Sequence, residues 1–249
     1  MADPARGVGV PPARIILFVP CYVDQLRPQA GIAAVELLED LGHEIEVRSE
    51  AICCGQPFAN SGLADESREA TAAWFAEMQG RTPVVVLSSS CTVHLRHDGA
   101  LLPLGAPPPL WEFCEFLARY HPTRPGGTLE QTVCLHSSCH GLRDSAADRA
   151  ARVVLETIRG LRVVQAARRD ECCGFGGSFS VTFPELSVRM GSDRLREIAA
   201  TEAPEVIATD LSCLIHLEGI ARAERLALRF RHISEVLRDA MRPPVTEVS

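Results

Sequence analysis

The sequence predicts an α/β fold built from two similar Rossmann-like βαβ repeats with parallel strands, related by a pseudo-twofold axis. Two observations predict it. Apolar runs alternate with longer helical patterns from Arg14 onward, as repeated βαβ units do. Eight of the ten cysteines also recur at matching intervals in the two halves. The repeats are placed at residues 14–124 and 128–240.

The first strand is Arg14 to Pro20, RIILFVP, followed by a helix from Pro28 to Gly42 that opens on proline and closes on glycine. Glu44 to Arg48 gives the second strand, Ala59 to Gln79 a helix, and PVVVLS from Pro83 a buried third strand. The proline-rich stretch Leu101 to Leu110 is a loop before a short helix, Trp111 to Tyr120, and His121 to Thr128 is a linker. The second half repeats the order: a strand from Gln131, a helix over about Ser145 to Arg159 and the strand LRVVQAA from Leu161. A helix from Pro184 to Ala200, the strand EVIAT from Glu205, a helix after Ser212 and the terminal helix Ile233 to Met241 complete it.

The cysteines show the duplication without any appeal to propensity. Cys21, the pair Cys53 and Cys54, and Cys91 match Cys139, the pair Cys172 and Cys173, and Cys213. The first interval is 32 residues in one half and 33 in the other; the second is 37 and 40. Local words repeat as well: Ile52-Cys-Cys-Gly55 with Glu171-Cys-Cys-Gly174, and Ser90-Cys-Thr-Val-His94 with Ser212-Cys-Leu-Ile-His216.

Composition narrows the chemistry. A formal charge of -7 argues against a phosphate-backbone binder, so nucleic acid is not an expected partner. The opening MADPARGVGVPPAR has no apolar stretch of signal-peptide length, and no run approaches the ~18 residues of a spanning helix, which places the chain in the cytoplasm. Ten cysteines in a reducing compartment point to metal or thiol chemistry rather than disulfides.

Each repeated cysteine follows a predicted strand, and the carboxyl ends of parallel strands line a common crevice. Three distant loops thereby bring four thiols together, and two such sets suit either tetrahedral zinc or an iron–sulfur cluster. Structural zinc favours C-x₂₋₄-C knuckles; directly adjacent thiolates fit a multinuclear centre better. The ligand sets read from this spacing are Cys21, Cys53, Cys54 and Cys91, and Cys139, Cys172, Cys173 and Cys213.

The words VPCYVDQLRP around Pro20, CCGQP from Cys53, HSSCHGLR from His136, CCGFGGSFSV from Cys172 and TDLSCLIHLEG from Thr209 resemble the cysteine-rich CCG-domain proteins. That family includes the CCG-containing component of heterodisulfide reductase and the iron–sulfur component of glycolate oxidase, and the resemblance is strongest to the lactate-utilisation protein A group. It covers roughly Arg14 to Arg238. The resemblance implies a cytoplasmic subunit carrying iron–sulfur clusters of the [4Fe–4S] kind. It also implies two partners, a ferredoxin-like iron–sulfur subunit and a third subunit, with L-lactate oxidised to pyruvate by the complex.

The fullest CCG pattern ends in C-x-x-C, whereas this chain reads Ser88-Ser-Ser-Cys91 and Asp210-Leu-Ser-Cys213. Four cysteines still suffice for one [4Fe–4S] centre, and Asp210 could add an oxygen ligand in the second half.

His94 and His216 lie three residues beyond a repeated cysteine, one helical turn away, where they either hydrogen-bond a cluster sulfur or substrate or serve as capped core histidines; His140 is a weaker case of the same kind. Cys114 and Cys134 are read as core residues, Arg27 and Arg143 as solvated helix-face arginines. The glycines after Cys173 let backbone amides approach a cluster rather than cradle a nucleotide. Two other functions stay open: clusters acting directly on a disulfide or a 2-hydroxy acid such as glycolate, and a zinc-stabilised scaffold.

Overall fold

A computed structural model describes residues 10–48, 53–102 and 107–242. The first repeat runs β1 (Arg14–Phe18), α1 (Cys21–Leu26), α2 (Pro28–Asp40), β2 (Glu44–Arg48), α3 (Gln56–Asn60), α4 (Ala64–Glu77), β3 (Val84–Val86), α5 (Ser89–His97), a single 3-10 turn, β4 (Leu110–Glu112) and α6 (Phe113–Tyr120). The second runs β5 (Thr128–Leu135), α7 (Cys139–Arg143), α8 (Ala147–Leu155), β6 (Arg159–Val164), α9 (Ser178–Thr182), α10 (Pro184–Ala199), β7 (Glu205–Ala208), α11 (Leu211–Ala223), β8 (Arg229–His232) and α12 (Ile233–Met241).

Each repeat forms a four-stranded, all-parallel sheet, with orders β2-β1-β3-β4 and β6-β5-β7-β8. The order reverses direction between the first and third strands of each repeat, so a crevice opens there at the carboxyl ends. Ile16 sits between Glu46 and Val84, and Cys134 lies between Val164 and Val206, in register on both sides.

Alternation along β1 sends Ile15 and Leu17 to one face and Ile16 and Phe18 to the other. The first face joins Val133, Leu135 and Ile207 of the second sheet in one continuous core. The other packs under Trp74, Phe75 and Met78, on or just beyond α4. The contacts between repeats are reciprocal: α6 of the first lies on α8 of the second, and α12 of the second lies on α2 of the first. This pairing of equivalent elements is what a pseudo-twofold relation produces.

Several expectations are refined. The expected helix from Ala59 to Gln79 is two helices, α3 and α4, separated by a turn in which Gly62 takes φ +77°. The helix expected from Trp111 starts at Phe113, because Trp111 lies in β4 and Glu112 caps α6 by accepting from the N–H groups of Cys114 and Glu115. The edge strands β4 and β8 escape a pattern reading. The first is three residues long behind Pro107 to Pro109, and the second reads Arg-Phe-Arg-His; short, polar or proline-flanked strands are what sheet edges tolerate. Arg27 is partly exposed and forms an ion pair with Glu218 of the other repeat. Cys114 and Cys134 are fully buried core residues, as expected. Ile52 of the repeated word, residues 103–106 of the proline-rich loop and residues 1–9 of the opening lie outside the described residues.

Candidate metal centre

In each repeat the crevice gathers the four thiols. Cys21 opens α1 directly after β1, Cys53 and Cys54 follow β2, and Cys91 sits in the first turn of α5 after β3. Cys139, Cys172, Cys173 and Cys213 take the matching places at α7, before α9 and in α11. All ten cysteines are free.

The sulfurs of the first repeat form a hydrogen-bonded set. Cys54 Sγ lies 3.2 Å from Cys91 Sγ, and Cys53 accepts from the Gly55 N–H at 3.4 Å. Hydrogen bonds from the Cys21 and Cys54 thiols, with that backbone amide, push the Cys53 pKa down to about 2. The Cys21 thiol is driven up, first by donating to Cys53 and then by burial, and Cys54 is driven up by its bonds to Cys53 and Cys91 and by burial.

The second repeat reproduces this arrangement. Cys172 accepts from the Cys139 and Cys173 thiols and from Gly174 N–H at 3.4 Å, and its pKa falls to about 2. Cys139 and Cys173 are raised by the same bonds and by burial. Each set therefore holds one thiolate stabilised by protonated neighbours, and a cation that replaces those protons recruits the remaining sulfurs.

Backbone chemistry explains the glycine that follows each cysteine pair. Gly55 adopts φ +97° and Gly174 φ +89°, where L side chains are strained. A Cβ on Gly55 would stand 2.4 Å from Thr71 Oγ1 and 2.8 Å from Ser67 O; on Gly174 it would stand 2.6 Å from Ser187 O. Close approach of the loop to α4 or α10 is what aims its N–H at the thiolate.

The three histidines expected near the sulfurs divide. His94 is buried, with Nε2 3.0 Å from Thr71 Oγ1 and Nδ1 2.6 Å from Asp98 Oδ2, and Thr71 Oγ1 is also 3.0 Å from the Cys54 carbonyl. His216 Nε2 lies 3.4 Å from Ser187 Oγ, which donates to the Gly174 carbonyl at 2.8 Å. Both brace the glycine loop from behind. His140 is half-buried at the second position of α7.

Asp210, expected as a further ligand, is buried and engaged across the repeat boundary. Its Oδ2 accepts from Ser90 N–H at 2.8 Å, and its Oδ1 from Tyr22 OH at 3.1 Å and Ser212 OH at 2.8 Å. Two of those three donors belong to the first repeat. Ser89 and Thr209 hydroxyls meet at 2.6 Å beside it.

Two side chains absent from the expected site lie against the second set. His136 directly follows β5 and is 1% exposed; one of its ring nitrogens and the sulfurs of Cys173 and Cys213 lie within 4.8 Å of one another. Arg194 of α10, 0% exposed, donates from Nε to His136 Nδ1 at 3.3 Å and from its guanidinium to the Arg168 carbonyl at 2.6 Å. His136 Nε2 has no hydrogen-bond partner. The signal was in the repeat alignment: where the first copy ends its strand on Phe18, the second has histidine.

The donor set fits a metal centre on these observations. Eight soft sulfurs gathered in two compact sets, each crossed by thiol–thiol and backbone N–H to sulfur hydrogen bonds, match thiolate-ligated metal chemistry. Among the described residues no helix is long and apolar enough to cross a membrane.

Comparison with known proteins bears on the same residues. A family described as "Cysteine-rich domain", CCG, matches residues 15–96 and 133–218, enclosing all eight repeated cysteines. "Lactate utilization protein A 1" of Bacillus mycoides is 30% identical over 239 residues, covering 91% of this chain and 97% of that protein. "Lactate utilization protein A" of Bacillus pumilus is 32% identical over 90% of this chain and 98% of its own, and that of Bacillus cytotoxicus 33% over the same shares. Among solved structures, a hypothetical protein from Helicobacter pylori superposes with a TM-score of 0.70 at 11% identity, over 94% of this chain and 50% of that one, a likeness of fold alone. Two matched domains, two four-thiol crevices and full-length relatives agree: the chain belongs to the CCG cysteine-rich domain family, which it carries in two copies, and to its lactate utilization protein A group.

Proposed function

We propose that this protein is the iron–sulfur electron-transfer subunit of a cytoplasmic system that oxidises L-lactate to pyruvate. The observation that carries the reading is the pair of four-thiol sets, each at the switch point of its own parallel sheet. Cys21, Cys53, Cys54 and Cys91 would hold one centre, and Cys139, Cys172, Cys173 and Cys213 the other. A bound cluster supplies one-electron chemistry.

The chain's own residues do the rest. The glycine loops turn amides toward the cysteine sulfurs, and the His94 and His216 braces fix those loops. Every element of this machinery positions ligands; hydride transfer from a 2-hydroxy acid would fall to a partner protein. The names of the relatives, lactate utilization proteins A, supply the substrate class; assembly with a ferredoxin-like iron–sulfur subunit and a third subunit belongs to the same proposal.

Iron and acid-labile sulfide per chain, measured on anaerobically purified protein beside zinc, test the proposal. About eight of each is expected, a four-iron cluster on each set. Zinc without sulfide would replace this reading with a metal-stabilised scaffold. Turnover of lactate or a disulfide by the isolated chain would replace it with direct catalysis.

A further inference from the structure

The two crevices are alike in their sulfurs but differ in what stands behind them. Three residues before the first cysteine, the first repeat has Phe18 and the second His136. Seven residues after the matching serines Ser67 and Ser187, the facing helix contributes Trp74 in the first and Arg194 in the second. Phe18 and Trp74 pack edge to face with centroids 5.5 Å apart, and both are buried. The same place in the second repeat holds the hydrogen bond from Arg194 Nε to His136 Nδ1.

That bond fixes the tautomer. A guanidinium can only donate, so Nδ1 is the acceptor and carries no hydrogen, and the neutral imidazole carries its hydrogen on Nε2. Nε2 is therefore a donor, which excludes it as a metal ligand while Arg194 stays bound. Among the described residues it has no acceptor, although His136 is almost fully buried. One His136 ring nitrogen and the sulfurs of Cys173 and Cys213 lie within 4.8 Å of one another, and because Nδ1 is taken by Arg194 that nitrogen is assigned as Nε2 by elimination.

We propose that His136 Nε2–H donates to a sulfur of the centre held by the second repeat, and that this donor, backed by the buried Arg194 cation, gives that centre the higher reduction potential of the two. The proposal rests on the iron–sulfur reading of both sets. Reduction adds negative charge to a cluster; hydrogen bonds to its sulfurs and a nearby cation stabilise that charge. Phe18 and Trp74 put no charge in the same place behind the first centre. Their one polar side-chain atom, the buried Trp74 Nε1–H, also has no hydrogen-bond partner among the described residues. What sets the second centre apart is the Arg194 cation and the imidazole it orients. One electron leaving the reduced first centre enters the oxidised second centre with no proton moved, and the equilibrium lies toward the second.

An EPR-monitored redox titration of the full cluster-loaded chain, with iron and sulfide determined on the same sample, tests this. The double variant His136→Phe/Arg194→Trp copies the first repeat's pair. It should keep its iron and sulfide, lose about tenfold in the equilibrium constant for reducing the higher-potential centre, about 59 mV for a one-electron step, and leave the other centre unmoved. His136→Met, a milder change, should lower the same potential. His136→Gln, whose oxygen can accept from Arg194 while its amide donates onward, should restore most of it. Variants that retain both centres with unchanged potentials overturn the proposal, as does a Gln variant that falls as far as the double variant. A wild-type chain without iron and sulfide overturns the iron–sulfur reading itself, and this proposal with it.

Discussion

Replacing Gly174 by alanine separates two demands that its position makes at once. Alanine at φ +89° pays the left-handed penalty, about 1–2 kcal/mol. Its Cβ would also stand 2.6 Å from the Ser187 carbonyl oxygen and 2.9 Å from Met190 Cβ. Contacts that close force the loop off α10, and such overpacking costs about 1–3 kcal/mol more. The Ser187 hydroxyl bond to the Gly174 carbonyl, 2.8 Å, is lost with it, roughly another 1 kcal/mol. Gly42, just past the end of α2, is the control: it has φ +94°, close to that of Gly174, yet an added Cβ meets nothing within 4 Å, so Gly42→Ala carries the conformational penalty alone. At about 2–4 °C per kcal/mol for a chain of this size, Gly174→Ala should melt roughly 5–15 °C below Gly42→Ala. Thermal unfolding followed by circular dichroism on metal-free protein reads the difference directly. Equal melting temperatures would refute the close-approach account of the CCG glycine. Metal loading gives a second readout, since the displaced loop withdraws the Gly174 N–H from Cys172.

Serine at Cys91 or at Cys213 should each remove about half of the bound iron and leave the other set loaded; loss of all iron from either single change would show that the sets are not independent. Asp210→Ala should retain its iron while unfolding at lower denaturant, because it strands the buried Ser90 N–H and Tyr22 OH at about 1–3 kcal/mol each; iron loss from the second set with unchanged stability would make Asp210 a ligand after all. His232 caps α12 by accepting from Ser234 N–H at 3.2 Å, and burial lowers its pKa to about 4. A group protonated near 6.5 when unfolded but only near 4 when folded withdraws stability as pH falls through that window, at about 1.4 kcal/mol per pH unit. His232→Asn keeps an N-cap without the titration, so its stability should be flatter between pH 6.5 and 4; an unchanged slope in urea titrations would assign acid sensitivity elsewhere.

Sequence legibility followed the physics of each element. Buried strands such as Val84–Val86 announce themselves by β-branched runs, and the interval between cysteines survives any error in a helix boundary. The edge strands at Leu110–Glu112 and Arg229–His232 were hidden because their identity lies in what they pair with, not in their own composition. The thiol sets were legible since every repeated cysteine follows a strand. His136 and Arg194 were not, because a histidine at the end of a strand and an arginine within an amphipathic helix look ordinary until the fold places them face to face. Asp210 was legible only as a possible oxygen ligand, because its bonds to Ser90 and Tyr22 depend on neighbours 120 or more residues away.

The reciprocal seating of α6 on α8 and of α12 on α2 has a consequence for ancestry. A single copy of the repeat would expose the apolar face that its sibling now covers, so an unduplicated ancestor had to pair with itself. In such a pair both crevices are bound to be identical, because one gene writes them both. Joining the copies in one chain released that constraint. Phe18 against His136, Trp74 against Arg194, Ser88 against Asp210 and Glu112 against His232 are the places where the inherited halves have since diverged. Asymmetry, which a homodimer cannot encode, is what fusion made available to this scaffold.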